Sequence, residues 1–215
     1  MSRRVFVTGL GVVSPLGLGR EAFWPALCAG RSGVAPIENF DTEGLGRNLA
    51  AEVKAFRPRD HMTSAEARRS GRCAAFSIAA ARMATEEATL SADRLGGALV
   101  AIVMGTTMFE AGILGELDHA WIRSGTKAID PRRLMLYGSD LLPIQVARAL
   151  KARAMVVSLP AACAAGNYAI GYAADLIRAG RVDVAVAGGV EIMERLQFSG
   201  FVRLGAMAPE RCQPF

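Results

Sequence analysis

Met155-Val156-Val157-Ser158-Leu159-Pro160-Ala161-Ala162-Cys163-Ala164-Ala165-Gly166-Asn167 is the stretch that decides how this chain is read. Its first five residues are mostly apolar, with two adjacent valines, and predict a short buried strand. From Ala164 to Ala179 the residues Ala169, Ile170, Ala173, Leu176 and Ile177 recur at three- and four-residue steps, which predicts a helix. Cys163 falls at the junction. A helix N-terminus offers unpaired N–H groups and the positive end of the dipole, which favour an anion such as a nucleophilic thiolate. The small residues Ala161, Ala162, Ala164, Ala165 and Gly166 leave room for a substrate to approach the sulfur. Two readings of Cys163 stand at this point: a nucleophile on a strand–helix turn, or a buried structural cysteine.

The same alternation runs through the rest of the chain. Arg4 to Thr8 reads as a first strand, followed by a glycine-rich turn from Gly9 to Gly17. Glu21 to Ala29 reads as a short helix closed by Gly30, and residues 31–62 as irregular. Ser64 to Thr89 reads as one long alanine-rich helix with Ser64 as N-cap. Leu99 to Met104 is a second strand, followed by helices from Glu110 to Ser124 and from Ser139, as N-cap, to Leu150. Val182 to Ala187 is the last strand and ends in Gly188-Gly189. Strands separated by helices imply an α/β fold, a mostly parallel sheet with helices packed on it. Function in such sheets gathers at the carboxyl ends of the strands, where Gly105, Cys163 and Gly188 would lie.

Gly9-Leu10-Gly11 after a first strand invites a dinucleotide site. The fingerprint fails: Ser14 stands where its third glycine belongs, Pro15 interrupts the helix start, and no strand ending in an acidic residue follows. A structural tight turn is the better reading, and no cofactor is expected. The 215 residues are 52% hydrophobic, enough for a substantial core. No apolar run approaches the roughly 18 residues of a membrane span. The N-terminus lacks the apolar region and small-residue cleavage site of a signal peptide, so the expected location is cytoplasmic. Cys28, Cys73, Cys163 and Cys212 form no paired motif, which argues against a disulfide framework or a zinc site. His61 and His119 lie in no recognisable motif.

The formal net charge is +5. Arginines gather at Arg57, Arg59, Arg68, Arg69 and Arg72, and again around Arg123, Lys127, Arg132 and Arg133. Such patches suit an acidic partner, or are a solvated face. Nucleic acid is not expected, because aromatic residues do not interleave with the arginines and no nucleic-acid motif is present.

Taken together, these segments resemble the N-terminal half of a β-ketoacyl-acyl carrier protein synthase, a condensing enzyme of fatty acid and polyketide synthesis with a thiolase-like fold. The resemblance rests on Val7 to Gly17, Ala29-Gly30-Arg31-Ser32-Gly33, Ala162-Cys163-Ala164, Val186-Ala187-Gly188-Gly189-Val190-Glu191, and Phe201 to Ala208 followed by Arg211-Cys212-Gln213-Pro214-Phe215. It implies that Cys163 takes an acyl group from a carrier-protein thioester, and that its backbone N–H belongs to the oxyanion hole. A malonyl-type extender would then lose carbon dioxide and attack the acyl-cysteine. The resemblance also places Met108 and Phe201 near the acyl chain, and Arg68, Arg69 and Arg72 near the acidic carrier protein. A homodimer or heterodimer is implied.

The departures are as informative. The two histidines and the lysine that the family uses on the extender belong to a C-terminal half, and neither His61 nor His119 matches them. Residues 1–215 are therefore expected to form one incomplete half of a thiolase-like fold, truncated before its last strand, with an uncovered edge and no condensing activity alone. Ala161 stands where threonine is common, and Gly71 where an aspartate often follows the basic pair. Cys163 itself argues against the chain-length-factor relatives, which lack it. The alternatives are a non-catalytic dimerising or carrier-binding remnant and, further off, a coenzyme A-dependent thiolase-type acyltransferase.

Overall fold

The segment Val100–Gly105 is apolar throughout and buried at every residue, as a strand covered on both faces must be. The computed structural model describes residues 3–212. In chain order its strands are β1 (Val13–Ser14), β2 (Gly17–Leu18), β3 (Val34–Pro36), β4 (Leu49–Ala51), β5 (Val100–Gly105), β6 (Ala154–Leu159) and β7 (Val184–Gly189). Its helices are α1 (Arg20–Cys28), α2 (Ser64–Arg69), α3 (Arg72–Glu87), α4 (Ala92–Gly97), α5 (Ala111–Ser124), α6 (Pro131–Leu134), α7 (Leu141–Ala149), α8 (Ala165–Arg178) and α9 (Arg195–Arg203).

β6, β5 and β7 form one parallel sheet in that order, with Ile102 opposite Val156 on one side and Val186 on the other. Side chains alternate along β5, and the alternation divides the core. Val100, Ile102 and Met104 pack with Phe76 and Ile78 of α3 and Leu142 and Val146 of α7. Ala101 and Val103 face the opposite way, onto Ala169 and Ala173 of α8. The result is a three-layer α/β/α arrangement.

The two strands flanking β5 and the helices α1, α5, α7 and α8 lie close to where the sequence places them. Other expectations need correction. Arg4 to Thr8 forms no strand: among the described residues no neighbour completes a ladder with it, and Phe6 and Val7 are 68% and 77% exposed. Between residues 9–13 and the outer side of β7 lies a cavity of about 680 Å³, flanked by Phe76 and Ala80 of α3 and Ile170 of α8. Residues 31–62 are less irregular than expected, because β3 and β4 pair antiparallel there. Gly9 and Gly11 make no tight turn. A Cβ at either would overlap the Ala84 or Ala80 carbonyl, so these glycines let the backbone lie directly on α3.

The long helix also needs correction. It breaks at Ser70-Gly71 into α2 and α3. Thr63, not Ser64, caps α2 through a capping box: the Glu66 N–H donates to Thr63 Oγ1 at 3.2 Å, and the Thr63 N–H donates to Glu66 Oε2 at 2.7 Å. Asp140, not Ser139, occupies the N-cap position of α7. Burial pushes the Glu66 carboxyl up, but the bonds from Thr63 and Arg82 outweigh it and hold the group below its ordinary 4.5. A lowered folded-state value means that this contribution is present above 4.5 and is lost as acid carries the pH down through the folded value. Thr63→Ala is expected to cost about 1 kcal/mol in urea denaturation at neutral pH, the usual loss for an N-cap.

Candidate active site at the carboxyl end of the sheet

Cys163 sits in a single 3-10 turn, Ala162–Ala164, that runs from the end of β6 into α8. The chain enters this turn through Ala162 at φ 49°, a left-handed conformation that costs an alanine about 1–2 kcal/mol. The sharp reversal leaves Cys163 exposed. The turn is closed by the Ala164 N–H donating to Ala161 and the Ala165 N–H donating to Ala162. Neither bond uses the Cys163 N–H.

Three glycines hold this turn against the sheet. A Cβ on Gly105, the last residue of β5, would come within 3.0 Å of the Ala165 carbonyl and the Gly166 nitrogen. A Cβ on Gly189, the last residue of β7, would stand 2.7 Å from the Gly166 Cα. The ends of β5 and β7 therefore meet the first turn of α8 backbone to backbone. The Val190 N–H donates to the Gly105 carbonyl at 3.0 Å and ties the two strand ends together.

Beyond these strand ends stand three carboxylates that sequence reading did not single out. Glu110, 3% exposed, accepts from the Cys73 N–H at 2.8 Å and the Ala74 N–H at 3.2 Å, and so caps α3 from a distant part of the chain. Gly71 makes room for it, since any Cβ there would overlap the carboxyl. That is a structural reason for the break after Ser70 and for the glycine at this position. Glu194 accepts from the Gly112 N–H in the first turn of α5. Glu191 accepts from Thr106, Thr107, Met108 and Gln197. Burial, the dominant influence, raises Glu110 and Glu194 above the ordinary 4.5. Burial, reinforced by the Glu110 charge, also pushes the Cys73 thiol far up, so Cys73 stays a thiol in the core. The one signal in the sequence was Gly188-Gly189-Val190-Glu191, a carboxylate two residues past a glycine-ended strand.

The remaining expected site residues are dispersed. Met108, half-buried, lies in the loop between β5 and α5. Phe201 is 47% exposed on α9, a helix that packs on α5. Arg68 and Arg69 are exposed in the last turn of α2 and enter no ion pair among the described residues. Arg72 differs, because its guanidinium donates to the Val53 carbonyl and lies 4.8 Å from the Phe76 ring centroid. His61 stacks on Phe56 at 5.0 Å, and His119 lies on the exposed side of α5. All four cysteines are free, and Cys28, Cys163 and Cys212 are exposed. Gln213 to Phe215, part of the last segment that carried the resemblance, lie outside the described residues. No described helix is long and apolar enough to cross a membrane.

The fold is a parallel sheet with helices on both faces and a cysteine on the turn leaving β6, and comparison with known proteins gives its class as thiolase-like. The family model for the β-ketoacyl synthase N-terminal domain matches residues 2–215. The chain belongs to that family. It is 31% identical over 213 residues to 3-oxoacyl-[acyl-carrier-protein] synthase 2 of Vibrio cholerae, covering 99% of this chain and 51% of the relative. Among solved structures, the ishigamide ketosynthase/chain length factor superposes with a TM-score of 0.94 at 39% identity, over 98% of this chain and 53% of the other. A type II polyketide ketosynthase in complex with its acyl-carrier protein superposes with a TM-score of 0.83 at 26% identity, over 100% of this chain and 52% of the other. The chain thus spans about half the length of the relatives it matches.

Proposed function

We propose that this chain is the nucleophile-bearing half of a condensing acyltransferase, with Cys163 as the catalytic residue. The observation that carries this reading is the exposed Cys163 on a strained turn, fixed to the sheet by Gly105, Gly166 and Gly189. In the first step the Cys163 thiolate attacks the carbonyl of a carrier-bound acyl thioester. The tetrahedral oxyanion takes the Cys163 N–H as one donor, the bond to the carrier sulfur breaks, and the carrier thiol leaves. In the second step a malonyl-type thioester loses carbon dioxide. Its carbanion forms the new carbon–carbon bond to the acyl carbonyl, and the Cys163 thiolate is released. The groups that assist decarboxylation in the family are not among these residues, so the chain alone is inactive in the second step.

Met108 and Phe201 would border the acyl chain. Arg68 and Arg69 are free to receive an acidic carrier protein, whereas Arg72 serves mainly to bind Val53 and Phe76. Reversing both free charges, Arg68→Glu with Arg69→Glu, is expected to slow acyl transfer from the carrier about tenfold at low salt and much less at high salt. Transfer from a small carrier-free thioester should not change. A dimer through the free edge of β6 is consistent with exposed Met155 and Val156, 42% and 39% accessible at that edge strand.

The deciding experiment is mass mapping after treatment with a cysteine-directed condensing-enzyme inhibitor at neutral pH. Modification of Cys163 ahead of Cys28 and Cys212, which are also exposed, is expected. Equal modification of the three would overturn the reading and leave a non-catalytic dimerising or carrier-binding role.

A further inference from the structure

The loop from Thr106 to Phe109 is held in an unfavourable conformation by a residue far away in sequence. Phe109 has φ 51°, a strained value for an aromatic residue, yet the residue is 1% exposed. Such a conformation persists only where its surroundings over-determine it. Glu191, two residues past the end of β7, supplies much of that constraint. Its Oε1 accepts from Thr106 Oγ1 at 3.0 Å, from the Thr107 N–H, and from the Met108 N–H at 3.1 Å. Its Oε2 accepts from Gln197 Nε2 at 2.8 Å, which orients the carboxylate. Thr106, 2% exposed, passes the constraint on, because its Oγ1 also accepts from the Phe109 N–H at 3.2 Å.

Two successive backbone N–H groups and a hydroxyl thus converge on one anionic oxygen. That oxygen belongs to the same strand-end junction that abuts Ala165 and Gly166 beside the Cys163 turn. No other acidic side chain bonds to this loop among the described residues: Glu110 is committed to α3 and Glu194 to α5.

We propose that Glu191 is a positioning residue for acyl-chain selection: it fixes the Thr106–Phe109 loop, and through it Met108, relative to the Cys163 turn. The inference rests on the proposed reading of Cys163 as the acylated residue and of Met108 as a neighbour of the acyl chain. It assigns Glu191 an effect on long acyl chains that its role in folding alone would not produce.

The test compares wild type, Glu191→Ala and Glu191→Gln. The glutamine keeps an acceptor for the loop amides, and Gln197 can turn its own amide to meet the new NH₂. Three rates are followed at Cys163: alkylation by iodoacetamide, acylation by an acetyl thioester, and acylation by a dodecanoyl thioester. In Glu191→Ala, dodecanoyl transfer should fall about tenfold, the scale of losing bonds to a charged acceptor, with the other two rates within about twofold. Glu191→Gln should recover most of the dodecanoyl rate. A uniform fall in all three rates, or none, overturns the proposal. Hydrogen exchange separates this failure from failure of the Cys163 reading. If wild type accepts no acyl group, the catalytic reading falls. Loss of protection at the Thr107 and Met108 amides in Glu191→Ala, restored in Glu191→Gln, would still uphold the clamp, and unchanged protection would overturn it.

Discussion

Gly105→Val is expected to abolish the preferential reactivity of Cys163 and to destabilise the fold by about 3 kcal/mol or more, the upper range for overpacking a core. The reason lies in what the new side chain would meet. At Gly105 the nearest atoms are the carbonyl carbon and oxygen of Ala165 and the nitrogen of Gly166. These are backbone atoms in the first turn of α8 and cannot swing aside as a side chain would. Either β5 leaves its register between β6 and β7, or α8 lifts from the sheet and carries the Cys163 turn with it. The first breaks two ladders at once, so the second is the expected response. For a chain of this size each kcal/mol lowers the melting temperature by roughly 2–4 °C. Gly188→Ala is the control. A Cβ at Gly188 meets nothing within 4 Å, so that variant should stay within about 0.5 kcal/mol of wild type and keep Cys163 selectivity. If Gly105→Val labels at Cys163 as selectively as Gly188→Ala does, the backbone contact does not position the site.

The contrast between these glycines shows where sequence reading reached and where it stopped. Cys163 and the strand–helix turn were legible because local periodicity changes there, from a short apolar run to a 3.6-residue repeat. The buried character of β5 was legible for the same reason. The role of Gly105 was not, since its partner Ala165 is 60 positions away and a glycine that ends a strand looks the same whether or not another backbone lies on it. Gly9 and Gly11 were misread as a turn on the same grounds. Arg4 to Thr8 has strand composition, but a strand also requires a neighbour, and composition does not supply one. The break between α2 and α3 was hidden because its cause is Glu110, on the far side of the core. Helix caps are usually sought within four residues of the helix start, and this one arrives from 37 positions away.

Glu110 carries the second large prediction, and its size depends on pH. Glu110→Ala leaves the N–H groups of Cys73 and Ala74 without an acceptor in the core, at the start of the longest helix described. Each such loss costs about 1–3 kcal/mol, so a total of about 2–6 kcal/mol is expected near pH 5. One effect opposes this. Burial disfavours the charged carboxylate more than its backbone bonds favour it, which is why its folded value lies above 4.5. The folded state then binds more protons than the unfolded state once the pH exceeds 4.5. Wild-type stability must therefore fall as the pH rises from 4.5 through the raised folded value. Glu110→Gln removes that titration while keeping an acceptor for Cys73 and Ala74. It should match wild type near pH 5 and become the more stable of the two by about pH 8. Some decline will persist in the variant, because Glu194 is raised for the same reason and still titrates. Urea denaturation of both proteins across that range decides the matter. Parallel curves would mean that Glu110 is solvated enough to ionise freely, and its place would then be that of an ordinary helix cap.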